Sequence, residues 1–129
     1  MRVIDGDTIQ VEGGLTVHYI GINAPEMRGP DEPSECYGAE ARERNRELVE
    51  GKVAQLERDM AHEDGDGQVL RYVYVDGRML NEILLREGYA RASVHPPDLR
   101  YADVLLAAQQ EAGELSRGLW GACPASSSD

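Results

Sequence analysis

Two short stretches constrain this chain more than anything else in it. They are Val3-Ile4-Asp5-Gly6-Asp7-Thr8 and, about fifteen residues on, Gly21-Ile22-Asn23-Ala24-Pro25-Glu26. The first sets two carboxylates around one glycine inside a run that otherwise reads as a strand. Gly6 removes side-chain bulk where the backbone must bend or bulge and where a small ligand would approach it. The second ends an apolar strand with a proline, which stops the hydrogen-bond ladder and throws Glu26 out beyond it. A hairpin between the two gives Asp5, Asp7, Asn23 and Glu26 one neighbourhood. Hard oxygen donors converging in this way suit a hard cation such as calcium, and through it a phosphate.

The rest of the chain reads as turn-punctuated strands with helices between them. Strand one is expected over residues 2–12, the Gly13-Gly14 pair turns the chain, and strand two returns over 15–22. Residues 27–35 are loop by composition, and a helix is expected over 38–49, ended by Gly51. Strand three covers 53–58. Asp64-Gly65-Asp66-Gly67 reads as a solvated turn, because Val75 stands where an EF-hand loop needs its bidentate acid. Strand four covers 68–75, a short helix 80–87 is closed by Gly88, and residues 89–94 hold a last short strand. Pro96-Pro97-Asp98 is expected to cap a longer helix carrying Tyr101, Leu105, Ala108, Ala112 and Leu115 on one face. Trp120 packs the tail onto the body. These elements argue for an α+β domain with about three helices on a five-stranded, OB-like barrel.

With 129 residues, 41% of them apolar, the chain forms one domain, expected over 1–124 with a disordered tail at 125–129. Its 13 Lys+Arg face 24 Asp+Glu, a net charge of −11. A protein that holds polyanions by bulk charge should be basic, so this one meets nucleic acid only through a local positive patch or a bound cation. No run approaches the roughly 18 apolar residues of a membrane span. Met1 leads straight into the first strand, so the chain reads as an excised or mature domain. Cys36 and Cys123 lie too far apart for metal-ligand spacing, and zinc is not expected. Two buried thiols and a disulfide both remain open from the residues alone.

The order of motifs resembles the staphylococcal nuclease-like, or thermonuclease, family over nearly the whole length. The pieces that carry the resemblance are Val3–Thr8, Ile20–Glu26, Cys36-Tyr37-Gly38-Ala39-Glu40-Ala41, Tyr72–Gly77, Leu80-Asn81-Glu82, Arg86–Ala90 and Gly118-Leu119-Trp120. The resemblance implies an OB-fold barrel and calcium-dependent cleavage of DNA or RNA phosphodiester bonds by a monomer. It assigns calcium to Asp7, Asn23 and the Ala24 carbonyl, with Asp5 nearby and Thr8 reached through water. It makes Glu26 the general base on an attacking water. The family's secreted bacterial members imply a Cys36–Cys123 disulfide and a secreted or extracytoplasmic setting, with any signal or anchor outside this chain.

Three positions depart from the family pattern. Its two phosphate-binding arginines are replaced by His18 and Gln68, and Asn23 stands for an aspartate. An amide oxygen still coordinates, at lower ligand charge. Histidine and glutamine do not reproduce the bidentate, permanently charged guanidinium fork. His18 and Gln68 therefore hold the substrate-binding and catalytic positions of a weakened enzyme, with Arg28 a second source of positive charge in its loop. Arg71 is expected on the opposite face from Gln68. The alternatives are an OB-fold module that binds nucleic acid or protein without chemistry, and a spacer. In those readings His18 is a barrel residue, Glu26 a turn partner, and Asp7 a carboxylate bonding local amides.

Overall fold

The computed structural model describes residues 1–26, 35–65 and 67–124. The expected disordered tail and Arg28 lie outside the described residues. The strands are β1 (Arg2–Asp5), β2 (Thr8–Gln10), β3 (Thr16–Tyr19), β4 (Ile22–Asn23), β5 (Gln55–Glu57), β6 (Val69–Val75), β7 (Arg78–Met79) and β8 (Arg91–Ala92). The helices are α1 (Gly38–Val49), α2 (Leu80–Arg86), α3 (Ala102–Glu114) and the single turn α4 (Leu119–Ala122). The class is α+β, as expected.

Strand one proves to be two strands. β1 folds back on β2 in antiparallel register, Asp5 opposite Thr8, so Gly6 and Asp7 form the tip between them. A glycine is needed there for space. A Cβ on Gly6 would lie 2.7 Å from the Ala41 Cβ of α1 and 2.8 Å from the Ala24 Cβ. The tip is thus wedged between the first helix and the second motif. Gly6→Ala is expected to cost about 1–3 kcal/mol by overpacking. Equilibrium urea unfolding measures it, and an unchanged midpoint would show that the wedge has slack.

Strand two is also interrupted. β3 pairs antiparallel with β2 (Thr8↔His18), then the chain breaks at Ile20 and Gly21, where Gly21 has φ +80°. β4 resumes in a separate two-stranded ladder with β8, pairing Asn23 with Arg91. The main sheet runs β1-β2-β3-β6-β5 with β7 added to β6, and its one parallel ladder joins β3 to β6 (His18↔Leu70). The path counts five strands only because the first expected strand splits in two; the expected last strand lies outside it as β8, and among the described residues β1 and β5 are not paired, so the sheet is open.

The core gathers Val17 and Tyr19 of β3 and Tyr72 and Val73 of β6 with Ala41 and Val49 of α1, Leu84 and Leu85 of α2 and Leu105 of α3. Helix α3 starts at Ala102, three residues later than a cap at Asp98 implies, and Asp98 does not cap it. Asp98 instead accepts the Ala61 N–H (2.8 Å), because residues 95–101 form turns that lean on the 59–61 loop. Leu105, Ala108 and Ala112 are buried as expected, whereas Leu115 at the helix end is 58% exposed. The Tyr72 hydroxyl donates to buried Asp59 (2.6 Å), and the Tyr72 and Tyr101 rings meet edge to face at 4.6 Å. Burial opposes ionisation of Asp59, yet bonds from Tyr72 and the Arg100 and Met60 N–H groups hold its carboxyl below the ordinary value.

Cys36 and Cys123 are joined in a disulfide. Among the described residues, no helix is long and apolar enough to cross a membrane.

Candidate active site

Asp7 sits at the junction of the two motifs. It is 5% exposed, and its Oδ2 accepts the Ala24 N–H at 2.9 Å, stitching the β1–β2 tip directly to the Asn23-Ala24-Pro25-Glu26 run. Its Oδ1 accepts the Thr8 hydroxyl at 2.8 Å, so Thr8 reaches the site through Asp7. The Asp7 carbonyl accepts the Tyr19 N–H at 2.9 Å, which docks the tip on β3. The Ala24 bond spans 17 residues, which a carboxylate serving only its own turn would not do.

The next neighbour is His18. Its Nε2 lies 3.8 Å from Asp7 Oδ2, and its Nδ1 lies 3.3 Å from Gln68 Oε1, with Nδ1–H as donor. His18 and Gln68 therefore bond each other. Registers explain the meeting: Thr8 faces His18 across β2–β3, and Val17 and His18 face Val69 and Leu70 across β3–β6. Asp64 then sets Gln68, whose N–H donates to Asp64 Oδ1 (3.0 Å) and whose carbonyl accepts the Asp64 N–H (2.9 Å). Arg71 points elsewhere, bonding the His62 carbonyl (3.2 Å) and lying 3.1 Å from His62 Nδ1.

Asn23 is exposed and immediately precedes the Asp7–Ala24 bond, while Ala24 and Pro25 are buried. Glu26 follows them with an exposed side chain. Its backbone is held on both sides by Glu35, whose Oε1 accepts the Glu26 N–H (2.7 Å) and whose N–H donates to the Glu26 carbonyl (3.0 Å). Asp5 is placed through its carbonyl, which accepts Asn45 Nδ2–H at 2.9 Å.

Two buried amides that sequence reasoning passed over fix this scaffold. Asn45 of α1 is fully buried, and it also accepts the Tyr19 hydroxyl at 2.6 Å, tying helix, strand and tip together. Burial pushes the Tyr19 phenol up, and the Asn45 bond opposes that only in part. Asn81 of α2 accepts the Val73 N–H (2.9 Å) and donates to the Ile20 carbonyl (2.8 Å), bridging the break before β4. The available signal was an uncharged polar residue on the inner face of each helical pattern.

The oxygen donors that the two motifs carry next to the Asp7–Ala24 bond in sequence are the Asp7 carboxylate, the Asn23 amide and the Ala24 carbonyl. Among the described residues no three His, Cys, Asp or Glu side chains gather as a metal cluster, so charge is low for a cation site. The set nonetheless fits a hard, oxygen-loving ion that keeps several waters. Asp7 is a buried carboxylate whose nearest cationic candidate stands 3.8 Å away, and buried charge calls for a counter-charge.

An open depression of about 320 Å³ begins at His18 and is lined in part by Tyr19, Ile20, Leu70, Ser93 and His95. A larger one of about 640 Å³ holds Arg44, Arg86 and Arg117 on another face. There the guanidinium groups bond Glu87 (2.8 Å), Glu111 (2.8 Å) and Glu111 again (2.6 Å). That basic cluster is already neutralised.

Known proteins resemble this chain over most of its length. Residues 16–122 match the family described as Staphylococcal nuclease homologue. The SPbeta prophage-derived endonuclease YokF of Bacillus subtilis is 42% identical over 92% of this chain and 42% of its own length. Endonuclease YncB of the same organism is 42% identical over 92% of this chain and 59% of its own. The thermonuclease of Staphylococcus hyicus is 35% identical over 93% of this chain and 73% of its own. The chain thus spans less than two thirds of the two endonucleases and nearly three quarters of the thermonuclease.

Proposed function

Since the chain belongs to the staphylococcal nuclease homologue family, we propose that it is a calcium-dependent phosphodiesterase acting on DNA or RNA, slowed by His18 and Gln68. The observation that carries the reading is the Asp7–Ala24 bond, which brings the first carboxylate to the base of the run that ends in Glu26. Asp7, the Asn23 amide and the Ala24 carbonyl would hold calcium, with Asp5 near and Thr8 steadying Asp7. When bound, the ion supplies Lewis-acid polarisation of a phosphoryl oxygen. Glu26, exposed at the end of its run, takes a proton from the attacking water. His18 and Gln68 would donate to the phosphate, His18 by giving up its Nδ1–H bond to Gln68 and Gln68 through its amide N–H groups. The depression beside His18, with Tyr19, Ile20 and Leu70 in its lining, has room for one nucleobase.

The same proposal includes a monomeric domain over 1–124 and an extracytoplasmic setting. The disulfide supports that setting, since such bonds persist where the environment is oxidising. A net charge of −11 confines polyanion contact to this one locality.

Glu26→Gln is expected to lower kcat by about 10²–10⁴-fold, the worth of a positioned general base. Added chelator should abolish cleavage of labelled single-stranded DNA, and calcium should restore it. Chelator-resistant cleavage would sink the calcium reading, and full activity in Glu26→Gln would sink the base assignment.

The second reading, a barrel that binds without chemistry, draws on the His18–Gln68 bond. This pair satisfies itself without a phosphate. Titration with labelled single-stranded DNA at low salt separates the two, because binding without turnover supports only the second.

A further inference from the structure

We propose that Glu35 is a positioning residue for Glu26. The inference rests on the reading of Glu26 as base. Glu26 follows buried Pro25, but its own side chain is exposed, so neighbouring side chains do not pack it into one place. What fixes it is backbone. Glu35 grips the Glu26 peptide from both sides, accepting its N–H through a carboxylate at 2.7 Å and donating its own N–H to the Glu26 carbonyl at 3.0 Å. A charged acceptor makes the first bond one of the stronger kinds available.

Glu35 is itself anchored at four points. Its carbonyl accepts the Gly38 N–H at 2.8 Å at the start of α1. The adjacent Cys36 is bonded to Cys123, which follows α4. Tyr37 packs its ring on Tyr89 with centroids 5.5 Å apart. The Tyr37 carbonyl then accepts the Ala41 N–H at 2.9 Å, on the helix whose Ala41 wedges Gly6. Glu26 is therefore referenced to the same helix as the Asp7 tip. The base and the carboxylate it works beside share one frame, and displacement of either by about 1 Å costs on the order of 10²-fold in rate.

The experiment compares the parent with Glu35→Ala and Glu35→Gln in two measurements. The first is kcat and KM for calcium-dependent cleavage of single-stranded DNA. The second is hydrogen exchange of the Glu26 amide by NMR. Glutamine keeps the Oε1 acceptor and alanine does not. Expected for Glu35→Ala are a kcat lower by about 10–100-fold at unchanged KM and a Glu26 amide exchanging about tenfold faster or more. Glu35→Gln should stay within about threefold of the parent in both, since a neutral acceptor keeps most of the bond. Either of two kinetic results overturns the proposal by itself: unchanged kcat in Glu35→Ala, or Glu35→Gln as impaired as Glu35→Ala, which would mean the charge matters and the acceptor does not. Silence of the parent and of a His18→Arg/Gln68→Arg background removes the base reading and the inference with it. Cleavage by the parent with Glu26 exchange unaltered in Glu35→Ala removes the inference alone.

Discussion

Replacing His18 and Gln68 together by arginine is expected to raise calcium-dependent cleavage of single-stranded DNA by about 10³-fold. Each preorganised donor at a developing oxyanion is worth roughly 10²–10³ in kcat. Two would reach 10⁴–10⁶ if they acted independently, and about 10³ allows for donors that act as a unit. The structure explains why the parent should be slow even with both side chains in place. The His18 Nδ1–H donates to Gln68 Oε1 at 3.3 Å, so a phosphate must displace that bond to win this donor, while Gln68 offers only a neutral amide N–H. Arginines at the same positions have no acceptor with which to pair. They would face the junction beside Asp7 with charge that only an anion neutralises. The measurement is initial rate with and without chelator. Activity in both chains, faster in the variant, supports a weakened nuclease. Silence in the parent with activity in the variant marks an enzyme whose metal site and base outlived its arginines. Silence in both leaves a binding module.

Removing the disulfide is expected to lower stability by about 4–5 kcal/mol, the chain-entropy value for a closed loop of this size. The Cys36–Cys123 link spans 87 residues, among the longest loops this chain could close. For a domain of 129 residues that loss corresponds to a fall of about 15 °C in Tm. Calorimetry of the parent against Cys36→Ser/Cys123→Ser measures it. A shift under about 3 °C would show that the α4 turn holds the first helix without covalent help. Such help exists: the Leu119 N–H donates to the Gly88 carbonyl at 2.8 Å, and the Arg91 guanidinium lies 5.2 Å from the Trp120 ring centroid. Hydrogen bonding alone should not offset the whole effect.

What the sequence made legible follows from the range over which its signals act. Turn glycines, alternating strands and helical faces are local, and they placed α1, α2, β6 and the β2–β3 hairpin within a residue or two. The Asp-Gly-Asp tip was visible as a bend, but its nature as a reversal between two strands depends on Ala41 and Ala24 closing on Gly6, which no local pattern encodes. The start of α3 was misplaced for a similar reason. Asp98 has the chemistry of a helix cap, and a bond to Ala61 across the fold claimed it first. At the site, the motifs named Asp7, Asn23 and Glu26. Asn45 and Glu35 carry no motif, and Asn81 lies in one that assigned it no role, because what each of them holds is set by what packs against it. The His18–Gln68 bond could be foreseen only as a pair of departures. That the departures touch required the β3–β6 register.

That register has a consequence for how the site comes into being. The ladder joining β3 to β6 is parallel, and its partners lie 52 positions apart in the chain, as with Val17 and Val69. A parallel ladder cannot form by hairpin closure, so the intervening loop must be closed before the contact rewards it. Nearly every candidate ligand and the base lie within the first 26 residues, where short-range pairing can assemble them early. Gln68 arrives only with β6, as does the Val73 N–H that Asn81 needs in order to bridge Ile20. The site is thus half local and half long-range. A peptide of the first two motifs would carry the carboxylates without the wall that faces them, and the phosphate-facing side of the site would exist only in the fully assembled chain.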